Sequence, residues 1–271
     1  IYEQIQYNDD LFPNPVVRGN FVWKNGEQDT EVLFDPDPNG RFRVAWMPPS
    51  ELRNRKAEEN GKRIAPNAEL GVGGVDSYDL DATVDGRGSK GALHLYNKFH
   101  MEHPSNMFVV EYASRPPLAK IFYEDVLKAA FFYGYPILIE NNKYGIARYF
   151  ESRGYDGYLM DRPDHLTSGG SAKTKTKGIP SNSQDVIQSH AHAIEAYIHD
   201  HVGINRETGE HGKMYFNNTL EDWIGYKIDN RTKFDLTISS GLALLAAQKA
   251  KPKKVMTDFS DRVFLRRYKR R

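Results

Sequence analysis

The chain has 271 residues, of which 39% are hydrophobic and 12% aromatic, and this composition can fill the core of one large domain or two small ones. It contains no cysteine, which excludes disulfides, thiolate zinc sites and thiol nucleophiles and fits a reducing compartment. No apolar run is long enough to cross a membrane, and no segment resembles a signal peptide. Because the chain begins at Ile1 rather than at a methionine, we expect a piece of a longer protein.

Positive charge is concentrated at the end of the chain. The formal net charge is +1, but residues 249–271 hold ten Lys or Arg and two Asp, a local charge of +8. The rest of the chain therefore carries −7, the difference between +1 and +8. A basic tail on a mildly acidic body indicates contact with a polyanion, and a solvated, disordered terminus is the alternative that composition leaves open.

The first part of the chain, residues 1–65, predicts a β-rich extension. Short strands are expected over residues 19–23, 30–34 and 41–46, with turn-forming Asn, Asp, Gly and Pro between them. Residues 48–63 are polar and charged, which indicates a linker or a surface helix. The extension is either a small β subdomain or an elaboration of the main domain.

A regular alternation of strands and helices predicts an α/β domain over residues 66–250. The predicted strands span residues 70–76, 91–98, 107–112, 137–140 and 157–160, and the predicted helices span residues 121–133, 144–153, 183–201 and 235–249. Strands joined by short links pair antiparallel, whereas strands joined through helices pair parallel. We therefore expect a mixed five-stranded sheet flanked by helices on both faces, followed by a basic tail over residues 251–271.

Three carboxylates lie at the ends of apolar runs and are the candidate catalytic and metal-binding residues. Asp76 ends the first predicted strand, Glu140 ends the fourth, and Asp235 begins the last helix. A carboxylate beside a buried strand is costly unless it has a partner, and Mg²⁺ or Mn²⁺ prefers oxygen ligands. If the first and fourth strands are parallel neighbours, Asp76 and Glu140 lie side by side, and a helix across the sheet can bring Asp235 to them. Taken singly, each is better explained as a surface acid, but the order and context of the three together are much less expected by chance.

An ordered set of motifs over roughly residues 68–250 resembles the C-terminal nuclease domain of the large terminase subunit of tailed bacteriophages, which has the RNase H-like fold. No single motif is specific. The matching residues are Gly74-Val-Asp76, Val110-Glu111-Tyr112, Ile139-Glu140-Asn-Asn-x-Tyr-Gly145, Gly178-Ile-Pro-Ser181 and Phe234-Asp235-Leu. The family often has paired acids at the last motif, whereas Phe234 precedes Asp235 here.

The resemblance implies a two-metal endonuclease that cuts concatemeric viral DNA during genome packaging. Two Mg²⁺ or Mn²⁺ ions can activate a water molecule and stabilise the leaving oxygen. Asp76 is expected to bridge the ions, with Glu140 and Asp235 each holding one. Asp79 and Asp81 are further candidate ligands. Glu111 lies on the third strand, two strands from the Glu140 strand, and is expected to support the structure rather than to bind metal.

Several cations near these acids are candidate contacts for DNA phosphates. They flank the predicted strands or lie in the Ser/Gly/Thr/Lys-rich stretch over residues 167–183, which is expected to form a flexible loop or a hairpin. The candidates are Arg87, Lys90, Lys143, Lys173, Lys175 and Lys177. A loop that only improves solubility is the open alternative for each lysine.

The resemblance also implies partners and a location. They are double-stranded DNA, the terminase ATPase domain, the portal and the small terminase subunit, in the host cytoplasm and transiently at the portal of the viral procapsid. The sequence has no G-x-x-x-x-G-K-[ST] phosphate loop, so we expect the nuclease part alone, monomeric when isolated and without a membrane partner. The alternatives are a resolvase or transposase-type nuclease with the RNase H-like fold, or a non-catalytic DNA-binding module.

Overall fold

A mixed sheet of seven strands organises the protein in the computed structural model. The structure describes residues 1–79, 90–100, 102–141, 144–163, 166, 176–180, 184–227 and 233–248. The strands are β1 (Val17–Trp23), β2 (Val32–Pro36), β3 (Phe42–Val44), β4 (Ala57–Glu59), β5 (Lys62–Ile64), β6 (Gly71–Asp76), β7 (Gly91–Asn97), β8 (Met107–Ser114) and β9 (Ile137–Ile139). The order in the sheet is β2-β1-β3-β8-β7-β6-β9, and β4 and β5 form a separate hairpin. Among the described strands of the large sheet, only the β6–β9 pair is parallel.

Helices cover both faces of this sheet. They are α1 (Tyr2–Asp10), α2 (Ala119–Tyr133), α3 (Gly145–Ser152), α4 (Gln184–His201), α5 (Asn217–Gly225) and α6 (Asp235–Ala247). One apolar core joins α2 and α3 to the sheet and to the N-terminal strands, and a second joins α4, α5 and α6 to the opposite face. None of the helices in the described part of the chain is both long and apolar enough to cross a membrane.

The α/β class and the mixed sheet are confirmed, but the predicted count of five strands is wrong. β3 pairs antiparallel with β8, with Arg43 opposite Glu111, so three strands from the predicted extension continue the main sheet. The predicted strand over residues 157–160 makes only isolated bridges, from Leu159 to Ile137 and from Gly157 to Ile64. The β3–β8 pairing joins segments far apart in the sequence and depends on edge complementarity, which the local sequence pattern does not reveal.

The surface helix considered for residues 48–63 is also wrong, because the β4–β5 hairpin occupies the end of that stretch. Asn60 and Gly61 form its two-residue turn with φ angles of 51° and 75°. Positive φ at both central positions is the pattern that Asn-Gly favours. The helices α1 and α5 were not predicted; both are nine residues long and rich in polar side chains.

Helix α6 lies directly against strand β6 because Gly74 has no side chain. A Cβ atom at Gly74 would lie 2.2 Å from the backbone nitrogen of Ala243 and 2.2 Å from the carbonyl oxygen of Ser239. Such a close approach of helix to strand requires glycine. This contact fixes how α6, and with it Asp235, lies over the sheet.

Candidate functional site

Asp76 and Glu140 end neighbouring parallel strands. Val75 of β6 is in register with Ile139 of β9, and the backbone N–H of Glu140 donates to the carbonyl oxygen of Val75 over 3.3 Å. Asp76 and Glu140 are the next residues of each strand. Asp76 is 5% exposed and Glu140 is half-buried. The carboxyl ends of parallel strands are where open α/β sheets bind their ligands.

Asp235 begins α6 at the same end of the sheet. Its Oδ2 accepts a hydrogen bond of 2.9 Å from the backbone N–H of Lys90. Lys90 immediately precedes β7, in which Ala92 pairs with Asp76. The N-terminal turn of a helix also favours a negative charge, because its free N–H groups and its dipole are positive there.

The three predicted ligands face the same side of the sheet. Side chains two residues apart on a strand share a face, so Asp76 lies on the face of Gly74 and Glu140 on that of Leu138. Gly74 meets α6, and Leu138 belongs to the core that contains α6. Within the described ranges, no group of three His, Asp or Glu side chains already has the arrangement of a metal site. Metal binding by these residues therefore stays a prediction, although their oxygen donors suit Mg²⁺ or Mn²⁺.

A fourth carboxylate, Asp222 of α5, lies near Asp235 and was missed by sequence reasoning. Its Oδ2 accepts hydrogen bonds of 2.7 Å from both the backbone N–H and the hydroxyl of Thr237, in the first turn of α6. Burial raises the pKa of Asp222; the negative charge of Asp235 adds to that rise, whereas Thr237 and the positive charge of Lys90 oppose it. Asp222 thus supplies a second acid beside the start of α6, but from another helix.

Asp79 and Asp81 follow Asp76 in the chain. Asp79 Oδ1 accepts from the Tyr123 hydroxyl over 2.9 Å and from the backbone N–H of Gly145 over 3.2 Å. It therefore ties the segment after β6 to α2 and to the first turn of α3. A metal ion bound by Asp79 would have to share the carboxylate oxygens with these two donors. Asp81 lies outside the described residues.

Glu111 of β8 lies in a row of buried polar residues that crosses the sheet, away from the three predicted ligands. It is fully buried, pairs with Arg43 over 2.9 Å and accepts from the Thr219 hydroxyl over 2.6 Å. Burial raises the pKa of Glu111, opposed by Thr219 and Arg43. In the same row His94 is opposite Glu111 on one side and opposite Gly74 on the other. The expectation of a supporting acid agrees with these contacts.

His94 connects this row to α6. Its Nε2 is 2.8 Å from the Thr219 hydroxyl oxygen, and its Nδ1 is 2.8 Å from that of Ser239. A hydroxyl has one hydrogen, so Thr219, donating to Glu111, accepts from Nε2–H. Nδ1 of the neutral ring then carries no hydrogen and accepts from the Ser239 hydroxyl, whose other acceptor, the carbonyl oxygen of Leu236, is farther away at 3.2 Å. Burial lowers the pKa of His94 to about 3, so the ring is neutral.

Two of the predicted DNA-binding cations fall within the described residues. Lys90 is exposed at the sheet end that carries Asp76. Lys177 instead donates to the carbonyl oxygen of Leu159 over 2.8 Å and forms an ion pair with Asp161 over 3.0 Å, so its ammonium group holds its own segment in place. The remaining candidates and the basic tail lie outside the described residues; they are Arg87, Lys143, Lys173, Lys175 and residues 251–271.

Comparison with models of known protein families gives no match, and comparison with curated protein sequences gives none at a significant level.

Proposed function

We propose that this chain is a metal-dependent DNA endonuclease of the terminase type with an RNase H-like domain. The observation that carries the proposal is that Asp76, Glu140 and Asp235 lie at one end and on one face of the sheet. They come from two strands and a helix that are distant in sequence. Three unrelated surface acids would not be expected to share one end and one face of the sheet.

In this proposal Asp76, Glu140 and Asp235 would hold two Mg²⁺ or Mn²⁺ ions. When bound, the ions would activate a water molecule and neutralise charge on the leaving oxygen. The protein's part is to hold the carboxylates in place: the Lys90 N–H binds Asp235, and the β6–β9 register aligns Asp76 with Glu140. We further propose, on the resemblance alone, that the domain acts on double-stranded DNA with the terminase ATPase domain, the portal and the small subunit at the procapsid.

The test is nicking of supercoiled plasmid in Mn²⁺, in Mg²⁺ and in EDTA. We expect cleavage that depends on the metal and falls by 100-fold or more, roughly, in Asp76→Asn, Glu140→Gln and Asp235→Asn, because each change removes a charged ligand and keeps the shape. Glu31→Gln is the matched control, since Glu31 is an exposed acid paired with Lys24 in the connection between β1 and β2.

The outcomes separate the candidate functions. Cleavage that survives all three substitutions would place the chemistry elsewhere. Preference for branched over linear DNA would favour a resolvase or transposase-type nuclease. DNA binding by the unmodified chain without cleavage in either metal would favour a non-catalytic module.

A further inference from the structure

A small cavity with aromatic walls lies beside the β4–β5 hairpin. Its volume is about 150 Å³, and its walls include the rings of Phe131, Tyr155 and Tyr158, each 2% exposed or less. The Tyr155 ring stands edge-on to the other two, at interplanar angles of 87° and 61° and centroid distances of 5.9 and 5.6 Å. Aromatic rings favour such contacts, and a cavity of this volume holds one benzene-sized ring. The space therefore suits a ligand with a single flat ring.

The hairpin that forms one wall of this cavity is held in place by the segment after α3. Ile64 of β5 forms a parallel bridge with Gly157. A Cβ atom at Gly157 would lie 2.3 Å from the carbonyl oxygen of Arg63, so the two backbones are in close contact. Lys62 also pairs with Asp156 over 2.7 Å. Because backbone packs against backbone here, the wall has a defined position.

Arg63 lies over one of the rings with N–H groups that are not used within the protein. Its guanidinium carbon is 4.7 Å from the centroid of the Tyr155 ring, and its side chain is 40% exposed. Its Nη1 lies 3.5 Å from Oδ1 of Asp29 but has no hydrogen-bond partner. That oxygen already accepts hydrogen bonds of 2.9 Å from Arg153 and 3.0 Å from the Tyr155 hydroxyl. In the described part of the chain, the Arg63 guanidinium therefore makes a stacking contact and an ion-pair contact but donates no hydrogen bond.

The charged side chains that line the cavity leave one net positive charge. Arg63 and Lys56 contribute positive charges, and Glu58, opposite Arg63 in the register of the hairpin, contributes a negative one. Lys56 is exposed, and its Nζ donates to the carbonyl oxygen of Asp29 over 3.4 Å, which keeps its charge near the rim. A balance of two positive charges and one negative charge suits a monoanion, whereas a phosphate dianion would be repelled more strongly by Glu58. We call this space the Arg63 cavity.

We propose that the Arg63 cavity binds a small carboxylate that carries a single flat ring, of the size of benzoate. The ring lies against the aromatic walls, and the carboxylate oxygens accept hydrogen bonds from the N–H groups of Arg63. A guanidinium is a planar fork that matches the two oxygens of a carboxylate, and stacking on Tyr155 occupies only its face. Lys56 adds an attraction at the rim that salt screens.

The Arg63 cavity is separate from the three carboxylates of the candidate site. Its aromatic walls belong to the core that contains α2 and α3, whereas Asp235 lies on α6, which packs in the other core. The carbonyl oxygen of Tyr158 accepts from the N–H of Ile137 over 2.8 Å, at the start of β9, and Glu140 follows the end of that strand. Binding at the cavity therefore does not rest on the proposed nuclease function.

The experiment is an NMR titration of the full chain, with isotope-labelled tyrosines, with benzoate, benzamide and acetate. Benzoate should shift the ring signals of Tyr155 and Tyr158 with a Kd of about 0.1–1 mM, a range typical of so small a ligand. Benzamide keeps the ring without the charge, and acetate keeps the charge without the ring. Each should bind at least about 10-fold more weakly than benzoate.

Three results of this titration would overturn the proposal. They are unshifted signals of the two tyrosines at saturating benzoate, equal affinities for benzoate and benzamide, and equal affinities for benzoate and acetate. Displacement of benzoate by an equal concentration of inorganic phosphate would show a general anion site and would overturn the choice of a carboxylate.

Replacement of Arg63 tests the residue that would hold the carboxylate. Arg63→Gln should weaken the binding of benzoate about 10-fold and leave that of benzamide unchanged. Arg53→Gln is the matched control, because Arg53 also stacks on a ring, 5.5 Å from the centroid of Phe132, but lines a different groove. An affinity for benzoate that is the same in Arg63→Gln and Arg53→Gln would reject the role of Arg63.

Replacement of Glu58 gives a test of opposite sign that does not depend on the folding of Arg63→Gln. Removing this negative charge from the wall should strengthen the binding of benzoate about 2- to 4-fold at low salt. Glu59→Gln is the matched control, since Glu59 is also exposed but, as the next residue of β4, faces the other side of the hairpin. Equal affinities in the two variants would reject the charge argument. Weaker binding in Glu58→Gln would indicate a ligand with an amine and would reject the monoanion.

Discussion

The neutral, buried histidine at position 94 should make the protein less stable in mild acid. Unfolding exposes His94 to water, where its pKa returns from about 3 to 6.5. The unfolded chain then binds a proton that the folded protein does not, so stability is fully present above pH 6.5 and is lost as the pH falls towards 3. Between pH 7 and pH 5 the expected loss is about 2 kcal/mol, with a ceiling of about 5 kcal/mol at lower pH.

Other groups titrate in the same range, so the assay compares two proteins. The raised pKa of Glu111 changes the stability in the opposite direction. Its contribution to stability is present at low pH and is lost as the pH rises through the folded pKa. Burial also lowers the pKa of the half-buried His201, which adds to the loss in acid. Both groups are present in the unmodified chain and in His94→Gln, and the difference between the two proteins isolates His94.

The measurement is urea unfolding of both proteins at half-unit steps from pH 5 to pH 8. His94→Gln is less stable at pH 7, because it disturbs the contacts with Thr219 and Ser239. The difference between the free energies of unfolding of the two proteins should narrow by about 2 kcal/mol as the pH falls to 5. Parallel curves over the whole range would show that His94 is not a buried neutral group and would refute the reasoning.

Three further predictions concern how α6 packs against the sheet. Gly74→Ala forces a methyl group to within 2.2 Å of helix backbone, so we expect a loss of about 3 kcal/mol, at the upper end of overpacking costs, and an unchanged melting temperature would contradict the close contact. Thr237→Val removes the hydroxyl that donates to Asp222, so we expect a loss of about 1 kcal/mol by chemical denaturation. Asp222→Asn keeps an oxygen acceptor for Thr237, so it should lower the free energy of unfolding less than Asp222→Ala does. Equal losses in the two variants would argue that Asp222 does not cap α6.

The parts predicted correctly from sequence are those in which local pattern and burial agree. The apolar run that ends in Asp76 forms β6, the run before Glu140 forms β9, and the small-residue helix after Asp235 forms α6. The parallel pairing of β6 with β9 was predictable because strands joined through a helix pair parallel.

The parts that were missed depend on contacts between distant segments. The β3–β8 pair joins residues about 68 positions apart, and no local pattern encodes it. Asp222 was missed because α5 is short and polar, and because the Thr237 it caps is on another helix.

The position of Asp235 is set by four contacts, three from β6, β7 and α5 and one from Lys90, the residue before β7. Gly74 of β6 allows α6 to pack closely against the sheet. His94 of β7 makes a hydrogen bond to Ser239, which lies on α6 one turn after Asp235. Asp222 of α5 caps its first turn, and the N–H of Lys90 binds the Asp235 carboxylate itself. If Asp235 holds a metal, substitutions at Gly74 and His94 should lower the affinity for Mn²⁺ in the folded protein, although neither residue is a candidate ligand. A rigid helix passes a displacement at its middle on to its first residue, and a metal site tolerates only small displacements of its ligands.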